Sequence, residues 1–249
     1  MFRERLLRLA TRRHGIARTV NGLPLRVASP VRAAFAASCD RQVADFLRSR
    51  ILPGSEVWNV GANVGVYALQ LASWVGETGR VVAFEPNPLA ARFLYENLRL
   101  NGLDQRVEIV ESAVGDRTGH VDLYVEGTSG MARAGRPNPL LEHPSVVRVP
   151  VTTLDAFCSR RTRSPAWLMM DIEGWEIAAL RGARTLLEAT RVAVELHPSA
   201  WPWSGHSRAD LEGLLTEWGL VAVPLAGQVD ALGQHGQVVL QHRERGVDS

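Results

Sequence analysis

The chain of 249 residues contains no lysine, and all 28 of its basic residues are arginines. A genome that favours arginine codons explains this bias better than a requirement for guanidinium groups. Against 26 acidic residues the net charge is only +2, so the composition gives no indication of nucleic-acid binding. Cysteine is rare too: Cys39 and Cys158 are far apart and indicate neither a disulfide framework nor a metal site. We therefore expect a protein of a reducing, cytoplasmic compartment.

Long apolar runs are also missing, and none approaches the roughly 18 residues that a membrane-spanning helix needs. Residues 1–19 carry six arginines against one glutamate, with too few leucines for the apolar core of a signal peptide. A basic amphipathic helix could bind a membrane surface or a partner, but a leader that packs on the following domain is the simpler expectation. We predict an N-terminal helical extension over residues 1–52, followed by one domain over residues 53–249.

Strand and helix patterns alternate in the first half of this domain. Residues 56–60, 80–86 and 107–116 have the apolar character of buried strands, and helical patterns separate them. The second of these helices is marked by Asn87 as its N-cap and by Gly102 just past its end. Such alternation predicts right-handed crossovers and a parallel sheet with helices on both faces.

The second half begins with two β segments, residues 120–127 and 146–154, which flank a loop rich in Gly, Pro and Arg over residues 128–144. The loop either folds over a substrate or is an insertion without a role. The pattern then gives strands at 166–174 and 191–198, helices at 175–189 and 207–219, and closing strands at 219–225 and 237–243. We predict that the closing strands form a hairpin. The fold class is then α/β and Rossmann-like, with a mostly parallel twisted sheet and a C-terminal antiparallel strand.

A glycine turn, GANVG over residues 61–65, follows the first strand of the domain. A dinucleotide-binding fingerprint requires glycine where Asn63 and Val66 stand, and no phosphate-binding GK[ST] motif is present. An NAD-dependent oxidoreductase is therefore the weaker alternative. The turn suits the methionyl part of S-adenosylmethionine better, although glycine turns also serve packing alone.

Glu85 ends the second strand of the domain. At that place a carboxylate can accept hydrogen bonds from both ribose hydroxyls of a bound nucleoside. An acid near a helix N-terminus can also be present only because the helix dipole favours it. Together with the glycine turn, Glu85 predicts a nucleoside site, but it does not distinguish S-adenosylmethionine from NAD.

Seven motifs follow one another along the chain: NVGANVG, VVAFEPNP, ENLRLNGL, ESAVGD, VPVTTLD, MDIEGWE with LRGA, and VELHP. In this order they resemble the FkbM-type methyltransferase family, which is named for polyketide O-methylation, and they cover Pro53 to Pro198. The resemblance implies a class I methyltransferase fold and S-adenosylmethionine as the methyl donor. It further implies transfer to a hydroxyl of a sugar or polyketide-type small molecule, as in secondary metabolite biosynthesis.

The resemblance also assigns the residues of the donor site. They are Asn59, Gly61, Asn63 and Gly65 at the methionyl end, Glu85 at the ribose, Ser112, Ala113 and Asp116 at the adenine, and Asp171 beside the amino and sulfonium groups.

Two positions depart from the family's usual pattern. The family usually has Asp where this chain has Asn59, and Lys where it has Met169. Asn59 keeps a hydrogen-bond acceptor but loses the charge, so a weaker affinity for the donor is expected. The two changes leave open an alternative of another class, a catalytically weak S-adenosylmethionine-binding partner protein.

Methyl transfer to a hydroxyl requires a positioned acceptor and is helped by a general base. His197 is a candidate base because of its intrinsic pKa, although its hydrogen bonds could equally be structural; Asp171, Glu173 and Glu195 are other candidates. Asp171 and Glu173 flank one turn and could bind Mg²⁺. No third oxygen ligand is evident in the sequence, so we assign no metal site.

Trp201 and Trp203 follow the last strand that is predicted to border the site, with His206 in the same loop. The indoles could stack on a sugar or an apolar acceptor, or pack the loop on the domain. The [DNS]PP[YF] motif of DNA amino-methyltransferases is absent, which disfavours a nucleic-acid acceptor.

Overall fold

The computed structural model describes residues 14–125, 132–134 and 145–243. Its first elements are two antiparallel strands, β1 (Ile16–Val20) and β2 (Leu23–Val27), where the sequence pattern had predicted no strand. Asn21 and Gly22 connect them with positive φ values of 50° and 81°. An Asn-Gly pair of this kind makes the tight turn that matches strand twist, so the hairpin has a local signal.

The predicted helical stretch after this hairpin is divided into two parts. A 3₁₀ helix spans Ser29–Ala34, and helix α1 (Arg41–Arg48) begins only after Asp40, whose φ of 42° is left-handed. Val20, Val27 and Leu47 are buried in the same core as Val57 of the domain. This segment therefore packs on the domain, while residues 1–13, with most of the basic leader, lie outside the described residues. The boundary at residue 52 stays a prediction.

The next elements follow the predicted alternation. They are β3 (Glu56–Val60), α2 (Val66–Trp74), β4 (Arg80–Phe84), α3 (Pro88–Leu100) and β5 (Val107–Val110). The Asn87 side chain accepts a hydrogen bond from the Leu89 N–H, which makes it the N-cap of α3, and Gly102 has a φ of 65° just past its end. Both helix boundaries are confirmed.

The third predicted strand, residues 107–116, is divided between two sheets. Its second part is β6 (Ala113–Val114), which leaves the central sheet and pairs with β9 (Ser145–Thr152). A four-stranded sheet results, with the order β6-β9-β7-β8, in which β7 is Gly119–Val125 and β8 is Ala132–Ala134. The strands β7 and β9 confirm the two predicted β segments. Within the predicted loop, β8 is described, and residues 128–131 and 135–144 are not.

The remaining elements complete the central sheet. They are α4 (Leu154–Cys158), β10 (Trp167–Met170), α5 (Glu176–Arg181), β11 (Arg191–Leu196), α6 (Trp201–Ser204), α7 (Arg208–Glu217), β12 (Leu220–Pro224) and β13 (Gly236–His242). The helix predicted over 175–189 is shorter, because α5 ends at Gly182 and only a 3₁₀ turn follows at Leu186–Glu188. There Asp155 accepts hydrogen bonds from the N–H groups of Thr185 and Leu186, which replace bonds inside a helix.

The central sheet has the strand order β5-β4-β3-β10-β11-β13-β12. The pairs from β5 to β11 are parallel, and β13 runs antiparallel to both β11 and β12. This is a Rossmann-like order with one reversed strand inserted near the edge, as predicted for a class I methyltransferase fold. The direction of winding changes between β3 and β10, so the carboxyl ends of these strands form the crevice in which ligands bind to such sheets.

Helices cover both faces of the sheet. On one face α2, α3 and the N-terminal segment bury Val57 and Met169, and on the other α5 and α7 bury Trp58 and Leu168. Among the residues that the structure describes, no helix combines the length and apolar character needed to cross a membrane.

Candidate active site

The glycine turn joins the ends of three strands. The N–H groups of Gly61 and Ala62 both donate to the Phe84 carbonyl at 3.0 Å. Gly61 has a φ of 80°, and a Cβ there would lie 1.8 Å from the Asp171 carbonyl oxygen at the end of β10. Gly65 has a φ of 101°, and a Cβ there would lie 2.7 Å from Leu94 of α3. Gly61 is thus required by close contact with the main chain of β10, and Gly65 is favoured by its left-handed backbone conformation.

Glu85 is held at the end of β4 by backbone donors. Its carboxylate accepts the Asn63 N–H at 2.6 Å and the Asn87 N–H at 2.8 Å, and the residue is only 5% exposed. Burial raises the pKa of Glu85 to about 7, against the opposing effect of these two hydrogen bonds. The carboxylate is therefore fixed in place and titrates near neutral pH in the ligand-free protein.

One crevice brings most of the predicted donor-site residues together. Its lining contains Gly61, Asn63, Glu85, Ser112, Ala113, Asp171 and Glu173, together with Leu123, Ala134 and Trp175, which sequence reasoning missed. Asn59, Gly65, Asp116 and His197 are not in this lining, and Asp116 is exposed. The Ser112 hydroxyl is engaged by the Pro150 and Ala113 carbonyls, each at 3.0 Å.

Three polar atoms of this lining are buried and have no hydrogen-bond partner among the described residues. They are the Asn63 Oδ1, the Asp171 Oδ1 and the Trp175 Nε1. Buried polar groups are normally paired, so an unpaired set around one crevice indicates a ligand that supplies the missing donors and acceptors. A ribose hydroxyl of S-adenosylmethionine would donate to the Asn63 Oδ1, an acceptor of the ligand would pair with the indole, and a cation would pair with the Asp171 Oδ1.

The two departures from the family pattern lie side by side. Met169 of β10 is directly opposite Asn59 of β3, and both are fully buried. The Asp and Lys that the family usually has at these positions would therefore form a buried pair, whereas this chain has two neutral residues. A neutral pair avoids the desolvation cost of two buried charges. We infer a coupled change at the two positions, although the buried Nδ2 and Oδ1 of Asn59 have no hydrogen-bond partner among the described residues.

A second group of polar residues lies beyond the ends of β10 and β11. Glu176 is fully buried and accepts the Gly174 N–H at 2.7 Å and the Trp201 Nε1–H at 2.8 Å. It also contacts the His197 Nδ1 at 2.9 Å. A carboxylate has no hydrogen to donate, so Nδ1 carries the proton of this bond and Nε2 points away from Glu176. Sequence analysis missed Glu176, although it ends the MDIEGWE motif.

The free side of His197 faces two further carboxylates. Its Nε2 lies 3.8 Å from the Asp171 Oδ1 and 3.7 Å from the Glu173 Oε2. On the neighbouring side, the Nε2 of His235 contacts the Glu195 Oε1 at 2.7 Å, and its ring lies 4.7 Å from the ring of His197. His235 stands in the connection before β13, where the sequence gives no signal of a functional residue.

Burial and neighbouring charges both shift the pKa values of this group. Burial raises the pKa of Asp171 well above its usual value, and the nearby Glu195 raises it further. Burial alone would lower the pKa of His197, but the hydrogen bond to Glu176 and the surrounding carboxylates raise it to about 9. The imidazole therefore carries a second proton at neutral pH in the ligand-free protein, which argues against His197 as the general base of that state.

In the loop of Trp201, Trp203 and His206, the first tryptophan packs into the protein. Trp201 is 1% exposed and donates to Glu176, so its indole positions a buried carboxylate and does not lie open for stacking on an acceptor. His206 contacts the Ser204 hydroxyl at 3.2 Å and meets the Trp175 ring edge-on at 6.5 Å. Burial and Arg181 lower the pKa of His206.

Comparison with known proteins found similar solved structures. The chain resembles a methyltransferase FkbM from Methylobacillus flagellatus (18% identity, TM-score 0.49), with 75% of this chain covered but only 43% of that one. It resembles the cofactor-bound protein Rv0187 from MTB (18%, TM-score 0.51, 85% of each chain). It also resembles an O-methyltransferase from Bacillus cereus in complex with SAH (12%, TM-score 0.49, 85% of each chain). No curated protein sequence matches the chain.

The sequence profile of the methyltransferase FkbM domain matches residues 59–221, about two thirds of the chain. This range contains the glycine turn, Glu85, the MDIEGWE motif and His197. The chain therefore belongs to the methyltransferase FkbM domain family.

Proposed function

We propose that the protein transfers the methyl group of S-adenosylmethionine to a hydroxyl of a small molecule, of the sugar or polyketide type. Binding of the methyl donor is supported by the Glu85 carboxylate, which two backbone N–H groups hold in the crevice. The unpaired Asn63 Oδ1 lines the same crevice. Two neighbouring acceptors fit the hydroxyl pair of a ribose. The donor supplies an activated methyl group on sulfur, so the protein's task is to orient the two reactants.

The acceptor half of the proposal rests on the other end of the same crevice. Asp171 and Glu173 line it beside Trp175, while Leu123 and Ala134 of the second sheet add apolar surface. Carboxylates can accept the hydrogen bond of an acceptor hydroxyl, and an apolar wall suits a sugar face or a polyketide chain. We assign catalytic roles to Asp171 and Glu173 at the hydroxyl, with His197 held by Glu176 as their neighbour.

The chain's partner in this proposal is a small molecule, with no nucleic acid involved. We place it in the cytoplasm, in agreement with the free thiols of Cys39 and Cys158.

Ligand titration tests the donor half. We expect S-adenosylhomocysteine to bind the full-length protein and NAD not to bind in a calorimetric titration. Glu85→Gln should weaken S-adenosylhomocysteine binding about 10- to 100-fold, because hydrogen bonds to a charged group are lost. Glu111→Gln is the matched control, since Glu111 is an exposed carboxylate just beyond the neighbouring strand. Absence of S-adenosylhomocysteine binding, or equal binding by Glu85→Gln, would contradict the proposal.

A second measurement tests methyl transfer itself. Formation of S-adenosylhomocysteine from S-adenosylmethionine is followed with sugars, polyketide-like alcohols and an RNA control. We expect turnover with at least one hydroxylated small molecule and none with RNA. Donor binding without any turnover would favour the alternative of a catalytically weak binding partner.

A further inference from the structure

The residues beyond β10 and β11 have the arrangement of a metal site. Asp171, Glu173 and His197 each present one potential ligand atom, and these atoms lie within 4.8 Å of one another. The distances from the His197 Nε2 are 3.8 Å to Asp171 and 3.7 Å to Glu173, beyond hydrogen-bond length. Two atoms that bind one tetrahedral ion at about 2.1 Å lie about 3.4 Å apart, so each carboxylate oxygen is within a few tenths of an ångström of that separation from the His197 Nε2.

The orientation of His197 adds an independent observation. Its Nδ1 is bound at 2.9 Å to Glu176, which is itself fully buried and held by Gly174 and Trp201. Histidine ligands of metals usually donate their other ring N–H to a carboxylate, which fixes the ring and its tautomer. The His197 side chain is 11% exposed, and its Nε2 is aimed between the two remaining carboxylates.

A buried, unpaired acceptor is the third observation that points to a metal site. The Oδ1 of Asp171 is buried and has no hydrogen-bond partner among the described residues, although it points toward His197. Glu195 and His235 offer a second triad with His197, but they already contact each other at 2.7 Å. The triad of Asp171, Glu173 and His197 is therefore the better candidate, because the distances from His197 to its two carboxylates are longer than a hydrogen bond.

We propose that the Asp171 Oδ1, the Glu173 Oε2 and the His197 Nε2 bind one divalent transition-metal ion of the Mn²⁺ or Zn²⁺ type. One imidazole and two carboxylates suit such ions, whereas Mg²⁺ prefers oxygen ligands alone. Sequence analysis assigned no metal site because it found no third oxygen ligand. The third ligand is a nitrogen, and the fold brings it from the end of the next strand.

The role of the ion rests on the proposed function. Asp171 and Glu173 also line the crevice, so an ion between them would bind the acceptor hydroxyl close to the donor. A bound cation lowers the pKa of that hydroxyl, whose proton passes to solvent water. The oxygen then forms a bond to the methyl carbon as the carbon–sulfur bond breaks, and the sulfonium becomes the neutral thioether of S-adenosylhomocysteine.

Metal titration of the full-length protein, after removal of ions with a chelator, tests the site without any acceptor. We expect one Mn²⁺ per chain by electron paramagnetic resonance, and competition by Zn²⁺. His197→Gln and Glu173→Gln should each weaken Mn²⁺ binding at least 10-fold. Glu176→Gln, which changes only the positioning residue, should weaken it about 10- to 100-fold. His120→Gln is the control, since His120 is an exposed histidine on β7.

S-adenosylhomocysteine titration of the same variants shows that they are folded and separates the two proposals. Unchanged affinity for S-adenosylhomocysteine with lost Mn²⁺ binding in His197→Gln and Glu176→Gln, whose side chains do not line the crevice, supports the metal site. No binding of Mn²⁺ or Zn²⁺ at about 1 mM, or native binding by both His197→Gln and Glu173→Gln, overturns it while the donor proposal stands. Metal binding without any S-adenosylhomocysteine binding would overturn the donor proposal alone.

Discussion

The two halves of the candidate active site differ in the groups that hold their buried carboxylates. On the side of β3 and β4, Glu85 is held by the backbone N–H groups of Asn63 and Asn87. On the side of β10 and β11, Glu176 holds His197 and Trp201 through side-chain atoms from separate segments. A carboxylate held by backbone depends little on its neighbours' identity, whereas every member of a side-chain network depends on the others. We therefore expect distant substitutions to affect the second half more than the first.

The largest effect is expected where the halves meet, at the buried pair of Asn59 and Met169. Asn59→Asp should lower the free energy of unfolding by about 3–5 kcal/mol, because it buries a charge without a partner. Adding Met169→Lys should restore much of this loss. Urea denaturation at pH 8 measures both variants, with Glu111→Gln as an exposed control. A stable Asn59→Asp single variant would show that the two positions are not coupled.

A smaller effect is expected from the donor that supports Glu176. Trp201→Phe keeps a buried ring but removes the 2.8 Å hydrogen bond from Nε1, which should destabilise the fold by about 1.5–3 kcal/mol. Mn²⁺ affinity should fall with it, whereas S-adenosylhomocysteine affinity should stay within about twofold, because Glu85 belongs to the other half. Trp218→Phe, in the same hydrophobic core, is the control. Equal loss of both ligands would mean that the two halves form one unit.

The smallest effect is a pH dependence of S-adenosylhomocysteine affinity, which we expect to arise from Glu85 in the half on the side of β3 and β4. With a pKa of about 7, Glu85 is mostly protonated at pH 6 and mostly ionised at pH 8. Ribose hydroxyls donate to the ionised form, so S-adenosylhomocysteine affinity should rise about tenfold between these values, and Glu85→Gln should abolish the rise.

Stability should change in the opposite direction to this affinity. The folded pKa of Glu85 is raised above its ordinary value of 4.5, so its contribution to stability is fully present below that value and is lost as the pH rises through about 7. Denaturation of the ligand-free protein between pH 5 and pH 8 measures how the free energy of unfolding depends on pH. If this dependence is equal in Glu85→Gln and the native protein, another group causes it.

The same contrast explains what the sequence could predict. Glu85, Asn63 and the cap of α3 by Asn87 belong to one strand-helix-strand unit, and the parallel pairing that this pattern predicts brings the ends of its two strands together. The strand alternation predicted the central sheet for the same reason. Glu176 looked like an ordinary acid in the first turn of a helix, and His235 stood in a connection. Only the packing of α5 against β11 and the pairing of β13 with β11 bring them to His197.

Residue patterns alone were insufficient at two places in the chain. The assignment of Gly61 to the donor site stays a prediction, but its contact with the Asp171 carbonyl oxygen comes from a strand that the pattern cannot place against it. The hairpin of β1 and β2 had its Asn21-Gly22 signal, yet the arginine-rich segment before it favoured a helical interpretation. Propensity and periodicity describe one segment at a time, and neither includes what packs against that segment.

The contact between Gly61 and the Asp171 carbonyl oxygen has a consequence for how this enzyme could diversify. Because no side chain fits at that contact, the span between the nucleoside carboxylate and the acceptor end of the crevice is set by main chain alone. Evolution cannot lengthen it by exchanging a residue there. Under the proposed function, new acceptors would be accommodated by changes in the small sheet that carries Leu123 and Ala134.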